Sequence, residues 1–365
     1  MNNCLFSVSI VHYKQPLYWR DAIDSVLEQD YPNIQLVFTD DASPNFDENE
    51  VAKYIEAKAQ SNLFSYKVIT HSKNLGTTAN HNDGDALCTG QYITHFAADD
   101  ALHSPQTLSY FAEALEQTFP DTLGVFGKFF PCNQKLQRDK TRDKWLPSFS
   151  ECAELGSLSS EQLYRRLVLS RGCRIPMGAS AFIRDRYAEY CPLDKRMNLI
   201  EDWPFFLKIS RSGYRMKFVG KETLDHRDGG ISTSLKSTPL KKLYHSDMVK
   251  VYEFEIMPYL ENYFSLDEQA QIIADFLTIP RDKESGESIL APILDRLASN
   301  APLSLLVNKK MAHAYQELND WTQELQVGKD WLEQQYKTHT SLLEKINKQN
   351  ENASLGRRLR KLFLQ

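Results

Sequence analysis

The chain has 365 residues, 42% of them hydrophobic, and a formal net charge of −5. That length and apolar content fit one large α/β domain with an appendage, or two domains, and exclude a chain disordered throughout. A mildly acidic balance is wrong for general binding to a phosphate backbone, so nucleic acid is excluded as the expected partner.

In chain order, Val8 to Val11 is a short β-branched run that reads as a first buried strand. Pro16 to Gln29 places Leu17, Ala22, Ile23, Val26 and Leu27 at helical spacing, and Pro32 stops that helix. Ile34 to Phe38 is a second strand ending in Asp40-Asp41, and Val51 to Ala59 a second helix. Tyr66 to Ile69 is a third strand, and Ala79 to Cys88 a helix closed by Gly90. Gln91 to Phe96 is a fourth strand ending in Asp99-Asp100; a helix over Ser104 to Thr118 and a strand over Leu123 to Phe126 follow. This alternation predicts a mainly parallel, Rossmann-like sheet flanked by helices, with ligands outside the carboxyl ends of the strands. Both acidic pairs fall there.

Asn133 to Ser160 is polar and reads as a long loop over the site. Order resumes at Arg174 to Tyr187 and in a helix over Leu199 to Ile209. Beyond Ser232 the chain becomes a helical extension, with helices over Leu240 to Phe264 and Leu266 to Leu277 and a charged break over Pro280 to Ser288. The expected divisions are a catalytic domain over 1–232, a helical extension over 233–302, a long helix or coiled coil over 303–350 and a basic tail over 351–365. Leu318, Trp321, Leu325, Leu332, Leu342 and Ile346 form an interrupted heptad-like seam, which predicts a homo-oligomer through the C-terminal helices. The amphipathic Arg357 to Leu364 reads either as a contact with an anionic membrane surface or as a frayed terminus.

The N-terminus lacks a basic segment followed by an apolar one, and no stretch approaches the ~20 apolar residues of a membrane span. A cytoplasmic location is expected, with peripheral contact on the inner face of the plasma membrane through the tail. Cys4, Cys88, Cys132, Cys152, Cys173 and Cys191 are scattered without a C-x-x-C pair, and read as buried free thiols.

Asp40-Asp41, Asp99-Asp100 and Glu201-Asp202 are the acidic pairs. Each alone is as easily a helix cap as a ligand. A hard cation, Mn²⁺ or Mg²⁺, takes carboxylate oxygens and shared phosphate ligands, and Asp100 with Asp99 beside it suits that chemistry. A displacement at a sugar carbon also needs a base for the acceptor proton, for which Asp202, with Glu201 beside it, is the candidate. Asn74 to Gly84 is a loop entering a helix whose backbone donors could face phosphate. His226 is a candidate metal ligand and Arg227 a candidate diphosphate partner, with Gly229-Gly230 as a flap beside them. His95 reads as a core histidine.

The ordered set Val8-Ser9-Ile10-Val11, Asp40-Asp41-Ala42-Ser43, Asn74-x-Gly76 with Asn82-x-Gly84, Ala98-Asp99-Asp100 and Glu201-Asp202-Trp203 resembles the family 2 inverting glycosyltransferases of the GT-A fold. The resemblance covers roughly residues 5 to 232. It implies Asp40 and Asp41 at the nucleotide base, with Asn74, Asn82 and Glu201 also on the nucleotide-sugar side. It further implies Asp99 at the ribose or sugar, Asp100 on the metal and Asp202 as catalytic base. The family's usual Asp-x-Asp is here Ala98-Asp99-Asp100, and the arginine that often precedes its second asparagine is His81. The partners implied are a nucleoside-diphosphate sugar donor, UDP-linked, and a glycan or lipid-linked acceptor in bacterial O-antigen or capsule assembly. Two rival readings stand beside it. A nucleotidyltransferase would want a glycine- and lysine-rich loop where His12 to Pro16 stands; a non-catalytic nucleotide-sugar-binding or scaffold protein would assemble through the C-terminal helices.

Overall fold

The computed structural model describes residues 4–230, 238–280 and 287–322. The described residues divide into two compact units, the first ending at Asp247 and the second beginning at Met248.

The first unit opens with strictly alternating elements: β1 (Phe6–His12), α1 (Trp19–Leu27), β2 (Ile34–Asp40), α2 (Glu48–Lys58), β3 (Leu63–Thr70), α3 (Thr77–Ala86) and β4 (Tyr92–Ala97). Every residue of β1 and of β2 is buried, the pattern of parallel strands covered on both faces. In α1 the buried residues Trp19, Ala22, Ile23, Val26 and Leu27 recur at three and four, giving one apolar stripe toward the sheet. Then come β5 (Ala101–Leu102), α4 (Thr107–Glu116), β6 (Thr122–Cys132), α5 (Phe149–Ser157), α6 (Ser160–Leu169), β7 (Ser180–Ile183), α7 (Arg184–Ala188), α8 (Asp202–Arg211) and β8 (Arg215–Arg227).

All eight strands join one sheet in the order β3-β2-β1-β4-β7-β6-β8-β5. The four strands from β3 to β4 are parallel. β7 is antiparallel to both β4 and β6, β8 is parallel to β6, and β5 is antiparallel to β8. The expected α/β sheet flanked by helices is therefore present, parallel in one half and mixed in the other.

Three departures from the sequence reading have physical reasons. β6 continues past Phe126 to Cys132 because Gly127 lets it pass close to β8: a Cβ there would lie 2.2 Å from Thr223 Oγ1. β5 and β7, of two and four residues, are too short to show a period. The expected loop over Asn133 to Ser160 instead holds a 3₁₀ turn (Lys140–Trp145) and α5. Ser148 caps α5 by accepting from the Glu151 N–H, and only Cys152 and Leu155 are buried, too few apolar positions to stand out in a polar stretch.

The second unit is helical. The helix expected over Leu240 to Phe264 is α9 (Thr238–Val251), whose residues up to Asp247 belong to the first unit, then a π turn (Tyr252–Ile256), a 3₁₀ turn at Pro258 (Met257–Tyr259) and α10 (Leu260–Tyr263). α11 (Leu266–Leu277) follows, opened by a capping box between Ser265 and Glu268, then α12 (Glu287–Ser299) and α13 (Ala301–Thr322). Ile273, Phe276, Leu297, Leu303 and Val307 are buried in its core. No described helix is long and apolar enough to cross a membrane. The seam positions Leu325, Leu332, Leu342 and Ile346, the basic tail, and Ile231-Ser232 lie outside the described residues.

Candidate active site

Asp99 and Asp100 follow β4 at the carboxyl edge of the parallel strands. What surrounds them is decided by the next two residues. β5 pairs Ala101 with Asp225 and Leu102 with Leu224, and these two rungs draw the end of β8 alongside the acidic pair. Asp100 Oδ1 then accepts from the backbone N–H of Arg227 at 2.9 Å, and its Oδ2 lies 3.2 Å from His226 Nδ1. The His226 ring stacks on Phe129, centroids 4.5 Å apart. Burial alone would lower the His226 pKa, but the charge and hydrogen bond of Asp100 outweigh it and raise it. Asp99 is buried; that burial, and then the charge of Asp100, push its carboxyl up to about 6. Gly230 closes over it, since a Cβ there would lie 2.6 Å from Asp99 Oδ2.

The Arg227 side chain is only 2% exposed, and its donors are spent on protein partners. Nε donates to the Asp99 carbonyl at 2.6 Å, one terminal nitrogen to the Gln134 carbonyl, and the other to Asp21 Oδ2 at 2.7 Å. The guanidinium carbon lies 4.2 Å from the centroid of the Tyr18 ring. Arg227 is thus a fastener that ties the Asp99 backbone to α1 and to the turn after β6.

β1 alone separates β2 from β4, so the Asp40-Asp41 pair stands about 10 Å along the same edge. Asp40 is fully buried and its oxygens are taken by His12 Nδ1 at 2.6 Å and by Ser43 N and Thr70 Oγ1, each at 2.8 Å. Burial would raise its pKa, but these hydrogen bonds, His12 foremost, hold it below the usual range. Asp40 thus anchors the end of β2 through these three partners. Asp41 accepts from the backbone N–H groups of Leu75 and Gly76 at 2.7 and 2.9 Å, and His71 Nδ1 lies 3.0 Å from it. Asp41 thus shapes the turn into α3, with Asn74 exposed beside it. The buried Asn82 amide grips Leu193, accepting from the backbone N–H at 2.6 Å and donating to the carbonyl at 2.9 Å.

Glu201 and Asp202 open α8. Asp247 holds the approach to them, accepting from Asn198 N and Leu199 N, each at 2.7 Å. Asp202 Oδ1 accepts from Trp203 N at 2.6 Å. Burial raises the Asp202 pKa against that bond and a hydrogen bond with the Cys173 thiol. Burial and the Asp202 charge raise Glu201 further, well out of the ordinary carboxylate range. The structure so brings Asp99, Asp100 and His226 into one cluster and places Glu201 and Asp202 together in another. Gln15, Asp21, His71, Cys173 and Asp247 support these clusters and were not singled out from sequence, because each is an isolated polar residue without a partner in its own motif.

The glycosyl transferase family 2 model matches residues 7–189. The chain is similar to the putative colanic acid biosynthesis glycosyl transferase WcaA of Escherichia coli (strain K12), 24% identical over 208 residues, 57% of this chain and 67% of that protein. It is also similar to the uncharacterized glycosyltransferase EpsJ of Bacillus subtilis (strain 168), 22% identical over 72% of this chain and 71% of that protein. Among solved structures, S. aureus TarS 1-349 in complex with UDP-GlcNAc is similar at TM-score 0.47 and 14% identity, over 75% of this chain and 81% of that one. Mannosyltransferase PcManGT from Pyrobaculum calidifontis, in complex with GDP-Man and Mn2+, gives 0.46 and 15% over 85% and 84%. With its family model spanning half of its length, the chain belongs to glycosyl transferase family 2 and is a glycosyltransferase.

Proposed function

We propose that the chain moves a sugar from a nucleoside-diphosphate donor to a hydroxyl of a glycan or lipid-linked acceptor, with inversion at the anomeric carbon. The observation that supports this best is the meeting of Asp99 and Asp100 with His226 at the carboxyl edge of the sheet. Asp41 and the Leu75-Gly76 turn supply the nucleotide side of the reading. The acceptor oxygen attacks the anomeric carbon while the bond to the diphosphate oxygen breaks, its electrons leaving with the diphosphate. Asp202 takes the acceptor proton; burial makes its carboxylate a stronger base than an exposed aspartate. Glu201, held protonated at neutral pH by burial and by Asp202, offers an O–H donor to the sugar or diphosphate.

A divalent cation fits as a site of few protein ligands. Among the described residues no group of three or more histidine, cysteine or carboxylate side chains is arranged to hold a metal ion by itself. Asp100 with His226 is an oxygen-plus-nitrogen set that Mn²⁺ accepts, and Mg²⁺ is commonly held by one or two carboxylates and substrate phosphates. His226 and Asp100 now interact at 3.2 Å, and His226 would release a proton on ligation. Bound there, the cation would neutralise charge on the departing diphosphate.

The surface-polysaccharide setting rests on the relative named for colanic acid biosynthesis, and UDP on the resemblance. A thermal-shift screen of UDP-, GDP- and TDP-sugars with Mn²⁺ identifies the donor, and transfer is then measured with Asp202→Asn. The expected loss is about 100-fold or more; a folded variant turning over at the wild-type rate would sink the assignment of the base. Self-association through the C-terminal helices and membrane contact through the tail belong to the same proposal. A chain ending at Ser354 should leave anionic vesicles, and one ending at Pro302 should scatter light as a smaller particle.

A further inference from the structure

The Glu201-Asp202 pair is reached through residues 189–200, which lead from α7 toward α8 without helix or strand. Leu193, Met197 and Ile200 root this segment in the core by their buried side chains. Its backbone is held by side chains from two helices distant in sequence. Asn82 of α3 accepts from the Leu193 N–H at 2.6 Å and donates to the Leu193 carbonyl at 2.9 Å. Thr78, one turn earlier on the same face of α3, donates its hydroxyl to the Met197 carbonyl at 2.8 Å. Asp247 of α9 holds the last stretch. Its Oδ2 accepts from the backbone N–H groups of Asn198 and Leu199, each at 2.7 Å, and of Ile200 at 3.4 Å. Its Oδ1 accepts from Asn198 Nδ2 at 3.1 Å.

Three consecutive N–H groups thus converge on one carboxylate oxygen immediately before Glu201. Asp247 is fully buried. A carboxylate taken out of water is a costly partner for N–H groups that the carbonyls of an ordinary turn would satisfy. In return, bonds to a charged acceptor are shorter and stronger, and hold a backbone more tightly. The first turn of α8 needs such a hold, because its N-cap residue, Glu201, makes no side-chain cap bond. The buried Trp203 fixes that turn from behind, and the segment from 198 to 200 fixes it from in front. The other end of the segment hangs from α3, which opens at the Leu75-Gly76 turn held by Asp41.

We propose that Asp247 is a positioning residue for sugar transfer: by gathering the N–H groups of Asn198, Leu199 and Ile200 it fixes the residues that lead into Glu201-Asp202, and so sets where the Asp202 carboxylate meets the acceptor hydroxyl. The inference rests on the reading of Asp202 as base. It does not require Asp247 to touch substrate.

The test is steady-state transfer by the full chain, with the donor chosen by the thermal-shift screen, alongside hydrogen exchange of the 198–200 amides. Asp247→Asn keeps an oxygen for the backbone N–H groups but turns its own amide donor against that of Asn198. The amides should exchange faster. kcat should fall about tenfold or more while the donor KM stays within about twofold, because a displaced base is lost from the reaction and not from donor binding. Adding Asn198→Asp sets a donor against an acceptor again. It should restore slow exchange and return kcat to within about threefold of wild type. The proposal is overturned by a kcat that stays at the wild-type value although exchange quickens, by one that stays low in the pair although exchange is restored, or by kcat and donor KM worsening by the same factor. Should Asp247→Asn fail to fold, Asn198→Asp alone, which opposes two carboxylates, carries the same test with the pair as its rescue. Asp202→Asn keeps the two readings apart: if it still transfers sugar, the base assignment falls; if it is inactive and Asp247→Asn keeps its turnover, only the role of Asp247 falls.

Discussion

The carboxylate of Asp100 is held by the backbone of Arg227, whose N–H donates to Oδ1 at 2.9 Å, and not by the guanidinium. The side chain of Arg227 therefore contributes to stability separately from the placement of Asp100. Arg227→Met should cost about 1–3 kcal/mol, because it leaves the buried carbonyl of Asp99 unpaired. The urea midpoint reads this directly; a midpoint within error of wild type would show that the guanidinium bonds add nothing.

Asp100→Asn keeps an oxygen for the Arg227 N–H and loses the charge. The fold should persist while Mn²⁺ affinity, read from the free-ion signal in electron paramagnetic resonance, falls about tenfold or more. His226→Gln should weaken the same binding. Equal affinity in both variants would remove the cation from this pair.

Gly230→Ala places a methyl 2.6 Å from where Asp99 Oδ2 now stands, so one of them must move. The expected result is a higher donor KM with the melting temperature nearly unchanged, because the crowding falls on a side chain at the site edge. An unchanged KM would mean that Asp99 does not contact the donor.

The acid stability of the protein should depend on His81. Its pKa falls from 6.5 in the unfolded chain to about 3 when folded, through burial and then the neighbouring His95 charge. As pH drops below 6.5 the unfolded chain takes up this proton first, so stability is lost progressively toward pH 3 and is intact above 6.5. Between pH 6.5 and 4 the loss amounts to about 3 kcal/mol. His81→Asn should flatten that part of the curve, and denaturation midpoints at four or five pH values would reveal a slope that persists.

Three of the first four strands, β1, β2 and β4, were legible because each is a buried apolar run beside a helix-spaced stretch, while β3, only half-buried, was read from its apolar Tyr66 to Ile69 segment. The carboxyl edge was legible for the same reason, since Asp40-Asp41 and Asp99-Asp100 end such runs. What was not legible is direction. Asp40, Asn82 and Arg227 have the residue types of ligand contacts, but each turns into the protein and spends its polar atoms on neighbours. Side-chain direction depends on partners far away in sequence, such as Leu193 for Asn82. β5 was illegible for another reason: two residues carry no period, although they decide where His226 meets Asp100.

That two-residue strand also sets where the chain can vary. Everything from Asn133 to Pro176 leaves the sheet after β6 and returns to it before β7, so insertions there lengthen an excursion whose ends stay pinned. β8 has no such freedom. Past the irregular stretch around Gly220, its last residues from Leu224 to Arg227 pair regularly with β6, and successive residues of a strand point to opposite faces. Deleting a single residue between Leu224 and His226 would turn the histidine position away from Asp100. The excursion between β6 and β7 can thus absorb added length, while the end of β8 must keep the register that sets His226 against Asp100.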